Sequence, residues 1–370
     1  MMTLALPKIL ILSVGYGKGH HSAAYALAEY YQKKGWESRV LDVCELAQPR
    51  LFRLTQRFYD FCVRRAPWLW GITYGLTDTA DWARLIHSPF LRPVLRCLQD
   101  ILEQERPELV VCTYPLFAYM LDDLRQRRRW SGRYAVVVTD AREISRPWMR
   151  SSADLVTVPD EGSRQLVLER YGLPESIIEA AGFPVRGAFG AASELPVPTQ
   201  GHLSILYGAY RQTGGVIRDI EALMSSFPGL ELTVLAGHRT RLLQRHFAAY
   251  CASRRLTVIR ETAEMPELLR KSHFYIGKAG AATMFECYSS CVPILVNFTL
   301  PGQEQGNLEL LLEDGAGYHV ESTLHLVDTL HCLLEHDAEG WQLLRRAMVA
   351  ADRAGGAARV AAAIERRIGR

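Results

Sequence analysis

Short apolar, β-branched runs alternate along this chain with longer stretches in which apolar positions recur at helical spacing. KILILSV (8–14) is followed by AAYALAEYYQKKG (23–35) and then SRVLDV (38–43), and the rhythm returns with ELVVCTY, YAVVVTD and ADLVTVP. Runs of that kind separated by amphipathic stretches predict βαβ units and a parallel, doubly wound sheet. Residues 187–201, GAFGAASELPVPTQG, have the Gly, Pro and Ser content of a connection. A second series follows in HLSILYG, ELTVLAG, LTVIR, FYIGKAG and PILVNF. The pattern therefore predicts an α/β protein of two Rossmann-like domains facing a cleft, at 1–188 and 202–350, with a last Ala-rich helix (351–370) packed across them. Ligands of such sheets collect beyond the carboxyl ends of the strands, so the loops after strands are where chemistry is sought.

Length agrees with that division, since 370 residues suit two domains and 48% hydrophobic content suits two cores. Lys+Arg 43 against Asp+Glu 40 leaves a net charge of +3, well short of the basic excess of a dedicated nucleic-acid binder. The eight cysteines include no C-x-x-C pair, which argues against a metal site or disulfide framework and for a reducing compartment. Ile9 to Val14 is too short for a signal sequence, and no run reaches the roughly 20 apolar residues that span a bilayer. The expectation is a cytoplasmic protein.

The first post-strand loop, Gly15-Tyr16-Gly17-Lys18-Gly19-His20-His21-Ser22, lies before a helix, where glycines let backbone N–H groups approach a phosphate or sugar. A dinucleotide fingerprint needs glycine where His20 stands, and a Walker A loop needs Ser or Thr where Gly19 stands. Asp42, ending the next strand, imitates the ribose-binding acid of the dinucleotide fold and keeps NAD as a rival. His20 at the mouth of such a loop is a candidate general base; the bland alternative is a strand-to-helix turn with an incidental histidine.

GYGKGHHSAA resembles the G-x-G-H-x-x-A-A signature of the monogalactosyldiacylglycerol synthase and processive diacylglycerol glucosyltransferase family, within glycosyltransferase family 28. GKAGAATMFE, with Lys278, Gly280, Thr283 and Glu286, resembles that family's K-x-G-x-x-T-x-x-E motif, and PGQEQGN, with Gln303, Glu304 and Asn307, its P-G-Q-E-x-x-N motif. The likeness runs from about residue 8 to 320. It implies a GT-B fold and an inverting transfer from a UDP-sugar to a lipid acceptor such as diacylglycerol, with no cofactor and no metal; no D-x-D motif occurs.

Gly277 to Ala282 predict a helix N-terminus past a strand, suited to a diphosphate. Glu286 offers a carboxylate to ribose hydroxyls, or closes a capping box with Thr283. Gln303 and Glu304 can read sugar hydroxyls or form a solvated first turn of a helix whose inner face is Leu308, Leu311 and Leu312. The donor set implied by the family is completed by Gly17, Gly19, Arg211, Gly237 and His238. Arg211 is a candidate for phosphate in a loop sparser in glycine than is usual for relatives, His238 replaces a frequent Asn, and His273 stands where relatives carry Asp. In TDAREISRPW, Asp140 and Trp148 match the family and Ser145 replaces a His of the galactosylating members, which opens the acceptor's identity. Asp140 is the alternative base or the partner that orients His20.

Arg50, Arg53, Arg57 and Arg64 share a helical face beside Leu51, Leu54, Phe58 and Phe61, and Pro67, Trp68, Leu69, Trp70 and Tyr74 follow. This predicts docking on an anionic membrane surface at its inner face through Arg53, Arg57, Trp68 and Trp70; the alternative is a core-facing helix with a solvated basic side. Arg125 and Arg127 to Arg129 read as solvated. Three further readings stay open: GlcNAc transfer to a polyprenyl-linked precursor, a UDP-GlcNAc epimerase, and a silent nucleotide-sugar binder. The sequence leaves the sugar and the oligomeric state open.

Overall fold

The computed structural model describes residues 6–16, 19–150, 152–190, 195–302 and 304–368. Gly17, Lys18 and Gln303, and the side chains of Arg64 and Pro67, lie outside the described residues. The chain divides into two compact units, one of residues 1–187, 301–306 and 355–370 and one of 188–300 and 307–354.

In the first unit six parallel strands, β1 (Lys8–Leu12), β2 (Glu37–Leu41), β3 (Leu109–Cys112), β4 (Arg133–Val137), β5 (Leu155–Val158) and β6 (Ile178–Ala180), stand in the order β2-β1-β3-β4-β5-β6. Alternate side chains of the central strands fill opposite faces. Leu10, Leu12, Val110, Cys112 and Val136 pack to one side. Ile9, Ile11, Val111, Ala135 and Val137 pack to the other, against Leu27 and Tyr31 of the Gly19–Lys33 helix and Val360 and Ile364 of the Gly356–Ile368 helix. Each Leu, Ile or Val among them contributes roughly 1.5–3 kcal/mol by burial, which favours apolar residues in these short runs. Between β2 and β3 the chain inserts a helical excursion that includes Pro49–Arg65 and Pro67–Thr79.

The second unit repeats the plan with β7 (Leu203–Gly208), β8 (Leu230–Leu235), β9 (Leu256–Ile259), β10 (Phe274–Lys278), β11 (Ile294–Phe298) and β12 (Gly317–His319), in the order β12-β11-β10-β7-β8-β9, again parallel. The β10–β11 register shifts between Gly277 and Lys278, a bulge that re-aims the strand's last residue.

Three expectations about organisation change. The connection 187–201 belongs mostly to the second unit: Phe189 is buried, and the Pro196 carbonyl bonds the His273 ring at 3.0 Å. The last helix begins at Gly356 and packs within the first unit on the Gly19–Lys33 helix, because Val360, Ala361 and Ile364 complete that unit's sheet face. Leu312 is exposed, and the inner face of the Gln305–Glu313 helix is Leu308, Leu310 and Leu311.

Candidate functional site

The first sheet changes its direction of growth at β1, whose neighbours are β2 and β3, so the loops after β1, β3 and β4 open at the switch point. His20, at the second position of the Gly19–Lys33 helix, is brought there beneath Tyr114 and Trp148, with ring centroids 5.1 and 6.0 Å away. Its Nδ1 shares a hydrogen bond with the Thr139 hydroxyl at 2.7 Å. Burial, reinforced by the neighbouring His21, lowers its pKa to about 4, against a smaller opposing contact with the Thr113 backbone. The imidazole is therefore neutral at physiological pH. Asp140 follows Thr139 directly; it is 6% exposed and accepts Trp148 Nε1–H at 2.9 Å.

The rest of the loop is held by the chain itself. Asp42 accepts Gly15 N–H at 2.9 Å through Oδ2 and Glu45 N–H at 3.0 Å through Oδ1, capping the short helix that follows. Both oxygens of the supposed ribose acid thus accept from backbone, a structural role that accounts for Asp42 without a ribose. His21 lies on Ser13 at 2.8 Å, and Tyr16 bonds Thr55 at 2.7 Å.

In the second sheet the switch point lies between β7 and β10. Lys278 extends over the ring of Tyr210 at 5.6 Å. Gly208 and Gly277, at the ends of these two strands, leave room for the Tyr275 hydroxyl: a Cβ on either would come within 3.0 Å of it. The Ala281–Ser290 helix has Gly280 as its N-cap, with no side-chain cap, so its first N–H groups stand at the strand end where an anion is favoured. Thr283 is then inside the first turn and cannot be the N-cap residue that a capping box requires. Glu286, one turn further, is 8% exposed.

Asn307 is buried and donates from Nδ2 to the Ala279 carbonyl at 3.0 Å, holding the loop that leads to Gly280. Its family motif thus coincides with a structural tie. Glu304 is 3% exposed, which overturns a solvated first turn. Arg211, the expected phosphate partner, places Nη1 on both oxygens of fully buried Asp219, at 2.9 and 3.1 Å. Asp219 also accepts from Tyr207 at 2.7 Å and Thr323 at 2.6 Å, so this guanidinium anchors the loop through a carboxylate. Arg239, buried, donates to the carbonyls of Ala209 and Arg211. Gly237 adopts φ +55°, and His238 is exposed. His273 is a core residue, with Ser204 N–H donating to its Nδ1 at 2.9 Å.

The docking region departs from the expectation in an instructive way. The Pro49–Arg65 helix buries Phe52 and Cys62, while Leu54, Phe58 and Phe61 are exposed together with Arg50, Arg53 and Arg57. Trp68, Ile72 and Leu76 of the next helix are 66%, 54% and 65% exposed. Trp70 differs from Trp68: it is half-buried and stands edge-on against Tyr59 at 4.7 Å.

Sequence reasoning passed over Thr139, Tyr114, Tyr210 and Asp219, and placed Tyr74 only in an aromatic cluster. Thr139 and Tyr114 had a signal, since each follows a strand of the first sheet, but neither residue type proclaims a role. Among the described residues no group of three His, Cys, Asp or Glu side chains is placed to hold a metal ion, and no helix is long and apolar enough to cross a membrane.

Two units, each a six-stranded parallel sheet with its candidate residues at the strand ends, define the GT-B fold. The crystal structure of Acinetobacter baumannii MurG is similar over 97% of this chain and 99% of its own, with a TM-score of 0.62 and 15% identity. A putative UDP-N-acetylglucosamine 2-epimerase from Listeria monocytogenes is similar over 98% and 96%, with a TM-score of 0.63 and 15% identity. Residues 20–185 match the family model described as monogalactosyldiacylglycerol (MGDG) synthase. A processive diacylglycerol beta-glucosyltransferase of Bacillus cytotoxicus is 27% identical over 351 residues, 91% of this chain and 88% of that one. Along most of its length the chain is thus similar to glycosyltransferases of this kind, and the family model matches most of its first unit.

Proposed function

We propose that the protein transfers a hexose or N-acetylhexosamine from a UDP-sugar to the hydroxyl of a membrane lipid such as diacylglycerol, with inversion at the anomeric carbon and without a metal. The observation that carries this is the buried, neutral His20 held on Thr139 beside the Trp148-bound Asp140. A general base must start unprotonated, and a dry pocket strengthens every polar contact made in it. In the reaction His20 takes the proton of the acceptor hydroxyl as its oxygen forms the bond to the anomeric carbon. The bond from that carbon to the diphosphate breaks on the opposite face, and UDP leaves with the electron pair. Asp140 orients the histidine or the hydroxyl.

The first unit holds the acceptor and the second the nucleotide of the donor. The helix start at Gly280 and the Lys278 ammonium are the groups suited to the diphosphate, and Glu286 to the ribose; Gln303 and Glu304 read the sugar. The relative from Bacillus cytotoxicus is named for glucosyl transfer to diacylglycerol, which supports the acceptor class. The exposed apolar residues of 54–76 beside Arg50, Arg53 and Arg57 support peripheral association with the anionic leaflet that faces the cytoplasm.

Purified protein given a panel of UDP-sugars, with and without lipid extract, tests the reading. UDP release that requires lipid and yields a glycolipid is the expected result. Turnover of UDP-GlcNAc without any acceptor would make it an epimerase, transfer only to a polyprenyl-linked precursor would change the acceptor class, and binding without turnover would leave a nucleotide-sugar binder.

A further inference from the structure

The Pro67–Thr79 helix has two faces with different tasks. Outward it shows Trp68, Ile72 and Leu76, spaced by one turn and more than half exposed. Inward it shows Gly71, Tyr74 and Asp78. A Cβ on Gly71 would sit 3.4 Å from the Pro301 side chain, and one on Gly302 would sit 3.3 Å from the Tyr74 ring. Gly302 has φ +77°, a conformation that favours glycine, and the aromatic ring lies close against it. Asp78 accepts the Arg146 N–H at 2.6 Å, fixing the other side of the helix to the loop that carries Ser145. Tyr74 is thus wedged between the loop at Gly302 and the loop from Asp140 to Trp148.

Its phenol oxygen is buried and has no hydrogen-bond partner. Burial, then the Asp140 carboxylate, raises its pKa well above the ordinary tyrosine value, while the neighbouring Ser145 side chain opposes this. The group stays an O–H donor at any physiological pH. A buried hydroxyl left unpaired costs free energy that a phenylalanine would not, and such debts persist where a ligand settles them. Few ligand classes fit: the atom sits beside a carboxylate, which repels an anion, and one helical turn from a surface suited to acyl chains.

Resting on the proposed lipid transfer, we propose that Tyr74 is an acceptor-contact residue, whose O–H bonds the reacting hydroxyl-bearing end of the lipid and orients it toward Asp140, so that one helix reads the apolar body of the acceptor on one face and its alcohol on the other.

Tyr74→Phe is the test, because it keeps the ring against Gly302 and removes only the oxygen. Transfer to a short-chain diacylglycerol in mixed micelles, UDP binding by calorimetry and thermal unfolding are compared with the parent protein. The expected result is a fall of 10- to 100-fold in kcat/KM for the acceptor, carried mainly by KM, with UDP affinity unchanged and thermal stability equal or higher. An unchanged acceptor kcat/KM overturns the role of Tyr74, as does a fall accompanied by equal loss of UDP affinity or of stability. If the parent protein itself transfers nothing to diacylglycerol, the lipid reading falls and this assignment with it; parent transfer with an indifferent variant removes the assignment alone.

Discussion

The indole N–H of Trp148 donates to Asp140 Oδ2 at 2.9 Å, and the same indole flanks the His20 ring. One side chain thereby fixes a buried carboxylate and closes one side of the candidate base. A hydrogen bond to a charged group contributes about 1.5–3 kcal/mol. Trp148→Phe keeps an aromatic ring and deletes the donor, so kcat should fall about 10- to 100-fold while UDP binding is retained. Steady-state kinetics with calorimetry check this, and an undiminished kcat would leave Trp148 as packing alone.

His20→Ala should lower kcat by about 10² to 10⁴ with UDP affinity intact. The pH profile discriminates further. With a pKa of about 4, His20 stays unprotonated down to mildly acidic pH, so the acidic limb of kcat/KM in the parent should lie near pH 4 and not near 6.5. A variant that keeps nearly full turnover hands the base role to Asp140.

The same depressed pKa has a consequence for stability. Between pH 6.5 and about 4 the unfolded chain binds a proton at residue 20 that the folded chain refuses, so stability falls as pH falls through that window. The contribution lost is about 3 kcal/mol, complete near pH 4. His20→Gln should flatten the slope of denaturant-derived stability between pH 4 and 6.5. A slope identical to the parent's would show that other groups carry it.

Glu286→Ala should weaken UDP binding by about 1.5–3 kcal/mol. Because Gly280 is the N-cap and Glu286 lies beyond the first turn, loss of the carboxylate breaks no cap, and thermal stability should change little. A drop in stability with unaltered UDP affinity would reverse the assignment. Glu304→Ala, by contrast, should bind UDP normally and lose turnover or change donor preference.

Much of the fold was legible because parallel strands buried on both faces must be written as continuous apolar runs. KILIL, LVVC and LVTV are such runs, and each is a strand. Post-strand loops were equally visible, so His20, Asp140, Lys278 and Gly280 stand at strand ends as anticipated. Three kinds of relationship were hidden. A tether between distant residues leaves no local mark, as with Arg211 on Asp219 or Asn307 on Ala279. Which end of an S/T-x-x-E pattern starts a helix depends on the strand before it, so Thr283 with Glu286 imitates a cap. An amphipathic helix does not say what its apolar stripe faces: Phe52 goes inward, while Leu54, Phe58 and Phe61 do not.

That last ambiguity bears on the membrane. An apolar stripe facing the core would have buried Phe58 and Phe61, which are 47% and 54% exposed, beside Trp68 at 66%. Clustered exposed aromatic and aliphatic side chains on two consecutive helices, with Arg50, Arg53 and Arg57 among them, suit an anionic interface. Each arginine contributes about 1 kcal/mol near such a surface, and salt screens it. Insertion of Trp68 resists salt. In liposome flotation, Arg53→Glu with Arg57→Glu should abolish binding to anionic vesicles, and Trp68→Ala with Phe61→Ala should leave only a salt-sensitive remnant. Trp70→Ala is the control: its ring packs on Tyr59 at 4.7 Å, so it should cost thermal stability and leave flotation of the folded protein nearly intact. If Trp70 matters for flotation and Trp68 does not, the outward stripe is not the surface that meets lipid.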